Sequence, residues 1–443
     1  MSDIFVFNKQ AMSVMLSLLA SSIYGVVDIY FISLLGTHEL AAAGIISPFV
    51  WLFNTIASGF ALAVSIFTTK YQNSSQFLKQ ILPPLFSGIC FLCIIALSLY
   101  FIILHKIIES FSESLLTVKL AQTYFLSWVI SYGATLLFFA GAAMMRVIDM
   151  YKQQTIIIIF SCILNIFLSP ILMFHPIGLG ISGAVYGTAL SQLFAVVLFG
   201  YYITKNHSYS FGKHQIQIEM LIQKTLFLLR TALVTVTSSI FWPISVLIST
   251  YYIARLGDAE IAMMGIISKI QPLIMTPSFA ISIAASVAIS KSFQNRKILE
   301  IKKYFYMAVC LIIAWQSAFA IILLLGKDTF SIIISSYNTK AIELLSFFLW
   351  TIPITVAGRG MMFLLSQTLP ALNKGRQSLF IDFAYIICLH TACYLVGFLF
   401  QDFLIVIILL SIFNIIGAVI FVVVMNKLRR DYAFIGYFRE SAI

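Results

Sequence analysis

Residues Gly25 to Pro48 read GVVDIYFISLLGTHELAAAGIISP, an apolar run that carries an aspartate, Asp28, in its interior. The pattern returns at Ile248 to Lys269 as ISTYYIARLGDAEIAMMGIISK. In that alignment Tyr30 falls on Tyr251, Ile32 on Ile253, Leu35-Gly36 on Leu256-Gly257, Glu39 on Glu260, and Gly44 to Ser47 on Gly265 to Ser268. Asp28 falls on Ser249, so the acidic residue is kept in one copy alone. A long chain that repeats itself once in this way reads as two related halves.

Working outward from that stretch, 61% of the 443 residues are hydrophobic and 10% are charged. The mean hydropathy is +1.02. A water-soluble core cannot absorb so much apolar surface, which predicts a membrane protein. Apolar runs long enough to cross about 30 Å of hydrocarbon as helices recur along the whole length. They fall at 11–35, 41–68, 81–104, 117–145, 153–174, 180–204, 226–256, 260–290, 304–326, 338–368, 378–400 and 403–427. The expected fold is therefore all-α, with twelve transmembrane helices in two pseudo-symmetric six-helix lobes. The short alternating segments of a β-barrel are not what these runs look like.

The longest internal polar interval divides the chain into an N-lobe at 1–204, a cytoplasmic linker at 205–225 and a C-lobe at 226–443. An even number of spans puts both termini on one side. Placing them in the cytoplasm puts most lysines and arginines inside and leaves Lys106, Lys119, Arg255, Lys327 and Lys340 outside. The net charge of +11 is accounted for by this topology and by anionic lipid, so nucleic acid is not an expected partner. The start, MSDIFVFNKQ, lacks the features of a cleavable signal, and the first span is expected to serve as its own. All six cysteines fall inside spans, where packing is the expected role, and no metal cluster or cofactor is expected.

Two cations, Lys269 and Arg359, lie inside spans eight and ten. They are expected either to line a cavity or to be paired, with Asp382 or a substrate anion as the candidate partner. Breakers cluster nearby: Pro272 and Pro277 in span eight, and Pro353, Gly358 and Gly360 in span ten. In span six, Gly183 and Gly187 form a small-xxx-small face for close helix packing. His390 in span eleven reads as a core histidine. The 40 phenylalanines and 20 tyrosines suit stacking and cation–π contacts as well as lipid-facing packing, and Tyr24, Tyr132 and Tyr186 are candidates for an N-lobe cavity wall.

The VDIYFISLLGTHELAAAGIISP stretch and its copy, LNIFLSPILMF in span five, GLGISGA entering span six and ALNKGRQSL after span ten resemble the multidrug and toxic compound extrusion family over essentially the whole chain. The resemblance implies two six-helix lobes that alternately open a central cavity to either face of the membrane. It also implies export of small amphipathic, often cationic compounds against entry of H⁺ or Na⁺, in the cell inner membrane and by a monomer. Asp28, Asn165 and Thr188 match the family's coupling-ion residues, whereas a second aspartate of that pattern is replaced here by Ser169. One carboxylate with Asn165, Ser169 and Thr188 offers Na⁺ several oxygens but a single charge, which favours H⁺. The proline usual near the start of the family's first span is also absent, with Ser13 in its place. No nucleotide-binding loop or catalytic triad is present in the sequence, so an enzyme is not expected. The alternatives are a flippase for a lipid-linked oligosaccharide or other anionic lipid, in which Lys269 and Arg359 would meet phosphate, and an uncoupled channel or receptor.

Overall fold

A computed structural model describes residues 15–16, 19, 25, 27–28, 30–32, 34–71, 77–111, 114–174, 176–206, 218–253, 255–256, 258–294, 297–334, 339–372 and 374–440. Every regular element among them is a helix. After the first-span helix that carries Asp28 come α1 (Thr37–Tyr71), α2 (Phe77–Leu99, prolonged to Glu109 through a π turn at Tyr100–Leu104), α3 (Leu115–Val147), α4 (Tyr151–Met173), α5 (Ile181–Asn206) and α6 (Ile218–Ser239). Then follow α7 (Phe241–Ile253), α8 (Asp258–Gln294), α9 (Ile298–Ile334), α10 (Thr339–Ala371), α11 (Gly375–Asp382, prolonged through a π stretch at Phe383–His390 to Leu399) and α12 (Phe403–Glu440).

Among the described residues, eight helices are long and apolar enough to cross a membrane, and α10 makes a ninth if its two arms, bent by 55° between Ile352 and Thr355, are counted together. The bend lies at Pro353, whose ring cannot continue the helical ladder. Expected span seven is divided at Ile240 into α6 and α7, and Pro243 in the first turn of α7 supplies the reason, since it has no N–H to offer the carbonyl four residues back.

Local chemistry sets the helix ends. Gly36, at φ 156°, precedes α1, and a Cβ there would lie 2.5 Å from the Glu39 carboxylate folded over it. The Gly-x-x-Glu that recurs in both halves is thus a helix start, with an acidic third residue at the positive end of the helix dipole. α3 ends in a Schellman motif: Met150 N–H reaches Met145 O at 2.9 Å and Asp149 N–H reaches Arg146 O at 3.2 Å, with Asp149 at φ 58°. α11 ends in the same way at Gln401, φ 54°, after which Asp402 Oδ1 caps α12 by accepting from Leu404 N–H at 2.8 Å. Both left-handed positions are filled by residues other than glycine.

The chain divides into two compact units, one within Leu19–Leu247 and the other containing Ile248–Ile443. In the first, α1 packs on α3, α3 on α5, α5 on α4, and α6 on α1 and α2. Its centre is aromatic: Phe49, Phe53, Phe125, Trp128 and Tyr132 interlock edge to face, tilted or, for Phe125 and Trp128, stacked, at centroid separations of 5.1–6.2 Å. Large side chains elsewhere, such as Ile94, Ile102 and Val197, point outward, as hydrocarbon rather than water as solvent allows. In the second unit α10 is central, packing on α8, α9 and α12. There Gln316 of α9 donates to Ile274 O (3.0 Å) and Ser278 Oγ (2.7 Å) beside Pro277 of α8. The side-chain amide supports a helix whose own ladder the proline interrupts.

Candidate coupling-ion site

Close backbone approach builds the site. A Cβ on Gly183 would stand 2.6 Å from the Leu172–Met173 peptide, and one on Gly187 would stand 2.8 Å from Ser169 Oγ and 2.9 Å from Ser169 Cα. The small-residue face of α5 therefore lies directly on α4, and the next residue, Thr188, is carried into reach of the polar side chains of α4. Asn165 Nδ2 donates to Ser169 Oγ at 3.2 Å, along its own helix face, and to Thr188 Oγ1 at 3.0 Å across the crossing. Thr188 Oγ1 stands 3.3 Å from Asp28 Oδ2 and 3.0 Å from the carbonyl oxygen of Ala184. Ser169 also faces the Asp28 carboxyl. The three residues matched in the sequence, Asp28, Asn165 and Thr188, are thus brought to one place with Ser169, which replaces the fourth, and Asn165 and Ser169 are fully buried.

Two features of this geometry matter chemically. Asp28 Oδ1 and Asn165 Oδ1 are buried acceptors without a hydrogen-bond partner among the described residues. An unsatisfied buried acceptor costs about 1–3 kcal/mol, more when charged, so a donor at this place would be stabilising. The Thr188 hydroxyl, in turn, has one proton and two acceptors within reach. It can donate to an ionised Asp28, or it can turn to Ala184 O and accept from a protonated one.

The remaining sequence candidates are not gathered here. Tyr132, expected at a cavity wall, is 1% exposed and belongs to the aromatic core, where its hydroxyl donates to Phe53 O at 2.8 Å. Tyr186 borders an open surface groove of about 440 Å³ with Ser131, Ala134, Ala189 and the exposed Ile130, Leu190 and Leu193. Tyr24 and the Lys269 side chain lie outside the described residues. Arg359 is buried in the second unit among Tyr385, Tyr394 and His390. Its expected pairing with Asp382 is not formed: the Asp382 carboxylate accepts instead from Ser366 and Ser378. His390 is a core residue as expected, packed against Tyr394 and Phe413 at 5.1 and 5.2 Å.

The MatE family model matches residues 13–171 and 234–396, once in each half of the repeat. The chain belongs to that family. A MatE relative described as a FAD transporter, from Shewanella oneidensis, is 21% identical over 379 residues, which cover 83% of this chain and 82% of the relative. The multidrug export protein MepA of Staphylococcus saprophyticus is 24% identical over 382 residues, covering 82% and 80%. Among solved structures, the Vibrio cholerae MATE transporter VcmN superposes with a TM-score of 0.80 at 19% identity over 96% of both chains. A transporter of the MOP superfamily from Pyrococcus furiosus, described as having a binding pocket of reverse polarity, superposes with a TM-score of 0.79 at 16% identity over 96% and 95%. The fold is that of MATE transporters, and the protein is a multi-pass membrane transporter.

Within the MatE fold, two groups near functional side chains escaped the sequence reading. Tyr124 of α3 lies close to Asp28. It shares a stripe at spacing four with Trp128 and Tyr132 on α3, a signal that was present but that core packing also produces. Ser366 and Ser378, the partners of Asp382, carried no signal at all.

Proposed function

We propose that the protein exports amphipathic, cationic compounds by alternating access, driven by entry of H⁺ rather than Na⁺, with Asp28 as the coupling group. The observation that carries this reading is the unpartnered Asp28 Oδ1 beside a threonine hydroxyl able to serve either protonation state. With Asp28 ionised, the first-span helix is held to α5 through Thr188. Protonation removes the charge, turns the hydroxyl to Ala184 O and loosens that tie, so the first-span helix relaxes against α4 and α5 and substrate leaves outward. Asn165 positions the Thr188 and Ser169 oxygens through its amide. Na⁺ would find oxygens here but one formal charge, since Ser169 stands where a second carboxylate would be needed. The multidrug export proteins among the relatives support a drug substrate, and the two compact units, divided after Leu247 rather than at the expected linker 205–225, are its lobes. A monomer in the cell inner membrane with both termini cytoplasmic completes the reading.

A second reading, transport of an anionic substrate such as a lipid-linked phosphate, draws on buried Arg359, on Lys269, on the relative named for FAD and on the neighbour with reversed pocket polarity. Ethidium export from proteoliposomes under an imposed pH gradient or an imposed Na⁺ gradient separates the possibilities. The proposal expects export with the pH gradient, none with Na⁺ alone, and loss of export in Asp28→Asn. Export that follows Na⁺, or that survives in Asp28→Asn, overturns the coupling assignment. Absence of ethidium transport alongside flux of an anionic substrate favours the second reading.

A further inference from the structure

Among the described side chains, Asp28 and Asp382 are the carboxyls set within spans rather than at helix ends. Nothing in the coupling scheme above uses Asp382. It lies on α11, seven residues from Gly375 and therefore about 10 Å along the helix, and it is 3% exposed. Ser366 of α10 donates to its Oδ1, and Ser378, one turn earlier on α11, stands 3.3 Å from its Oδ2. The same Ser378 hydroxyl is 3.4 Å from the carbonyl oxygen of Ser366.

This repeats, in the unit whose copy of the Asp28 position is Ser249, the arrangement found at Asp28. A hydroxyl with one proton has two acceptors at nearly equal distance, one of them the carboxylate and the other a backbone carbonyl. When the carboxyl is ionised, Ser378 donates to it. When a proton arrives on Oδ2, Ser378 turns its own proton to Ser366 O, whose helical partner position is Pro370 and has no N–H to give, and offers a lone pair to the new acid O–H. An arginine or backbone N–H partner would fix the ionised state; hydroxyl partners do not. Each Asp382 oxygen has a hydroxyl partner, unlike Asp28 Oδ1 and Asn165 Oδ1.

The charged and titratable groups around Asp382 leave its charge unneutralised. On α10, Arg359 lies seven residues, about two turns, before Ser366 and faces Tyr385 and Tyr394. On its own helix, Lys374 and Arg376 lie toward the end, and Tyr385 and His390 lie in the π stretch among aromatic rings. On α12, Lys427 and Arg430 are exposed. Among the described residues Asp382 makes no ion pair.

We propose that Asp382 is a second proton-binding site, in the C-terminal unit, whose loading reorganises the bond between α10 and α11. It stands independently of the role given to Asp28. The test is infrared difference spectroscopy of the full chain in liposomes as pH is varied, following the carbonyl stretch of protonated carboxyls in wild type, Asp28→Asn, Asp382→Asn and Ser378→Ala. Beside the titration shared by the exposed carboxyls, two bands of buried acids are expected in wild type, with Asp382→Asn losing one and Asp28→Asn losing the other. Ser378→Ala, which keeps the carboxyl, is expected to shift the Asp382 band and leave the Asp28 band in place. A spectrum of Asp382→Asn that superimposes on wild type at every pH overturns the proposal. Should that variant fail to fold, an unshifted spectrum of Ser378→Ala overturns it instead. Loss or survival of the Asp28 band bears on the coupling scheme alone.

Discussion

At the scale of single residues, the candidate site is a matter of hydroxyl protons. Thr188 holds Asp28 to α5 only while it has a proton to give, and its second acceptor, Ala184 O, makes that bond switchable. Replacing Thr188 by valine keeps the shape and removes the switch. Gradient-driven ethidium export is expected to fall by about tenfold or more, equivalent to roughly 1.4 kcal/mol, while Thr188→Ser restores most of it. Export by Thr188→Val at the wild-type rate would remove the hydroxyl from the mechanism. Asp28 was legible in the sequence because a carboxyl in an apolar run costs on the order of 3 kcal/mol to insert and is seldom kept without use. Asn165 and Ser169 were legible because spacing four puts them on one helix face. Tyr132 was misread as cavity lining, since a tyrosine on an aromatic stripe looks alike in sequence whether it faces a cavity or Phe53 and Trp128. The seryl partners of Asp382 meet it only through tertiary packing, and a serine in a membrane helix announces nothing.

At the scale of elements, the α4–α5 crossing decides whether the site exists. Gly187→Val would drive a branched side chain into Ser169, where even a Cβ finds 2.8–2.9 Å. Overpacking of this kind costs about 1–3 kcal/mol, so thermal melting in detergent should fall by several degrees and coupling should be lost with it. An unchanged melting temperature would mean that the helices are not in backbone contact. The α11–α12 turn gives two neighbouring substitutions of opposite sign. Gln401→Gly relieves a left-handed backbone and should stabilise by up to about 1 kcal/mol, whereas Asp402→Ala removes the cap on Leu404 N–H and should destabilise by about 1 kcal/mol. Melting curves of the two variants that move in the same direction would contradict the turn. The spans themselves were readable from hydropathy, and Pro353 and Pro243 account for the bend in α10 and the break between α6 and α7. The π stretches in α2 and α11 were not readable, because inserting one residue into a helical ladder leaves no mark on an all-apolar pattern.

At the scale of the whole molecule, the internal repeat was legible in the sequence, and the MatE family model matches the chain twice, at residues 13–171 and 234–396. The repeat is asymmetric all the same: Asp28 has Ser249 as its counterpart, so the carboxyl proposed for coupling has no copy at that position. Transport driven by a single switching group has a definite pH dependence. With both faces acidic Asp28 stays protonated, with both faces alkaline it is not reloaded, and export should pass through a maximum between them. A rate that rises without limit on one side would point to a different rate-setting group.

The most direct test of the central claim is proton release from purified protein in weakly buffered solution on addition of ethidium, comparing wild type with Asp28→Asn. The account predicts a proton released on ethidium binding by wild type and none through this route from the variant, because substrate and proton compete for states of one switch. Equal proton release from both proteins, or ethidium binding with no proton released by wild type, would contradict it.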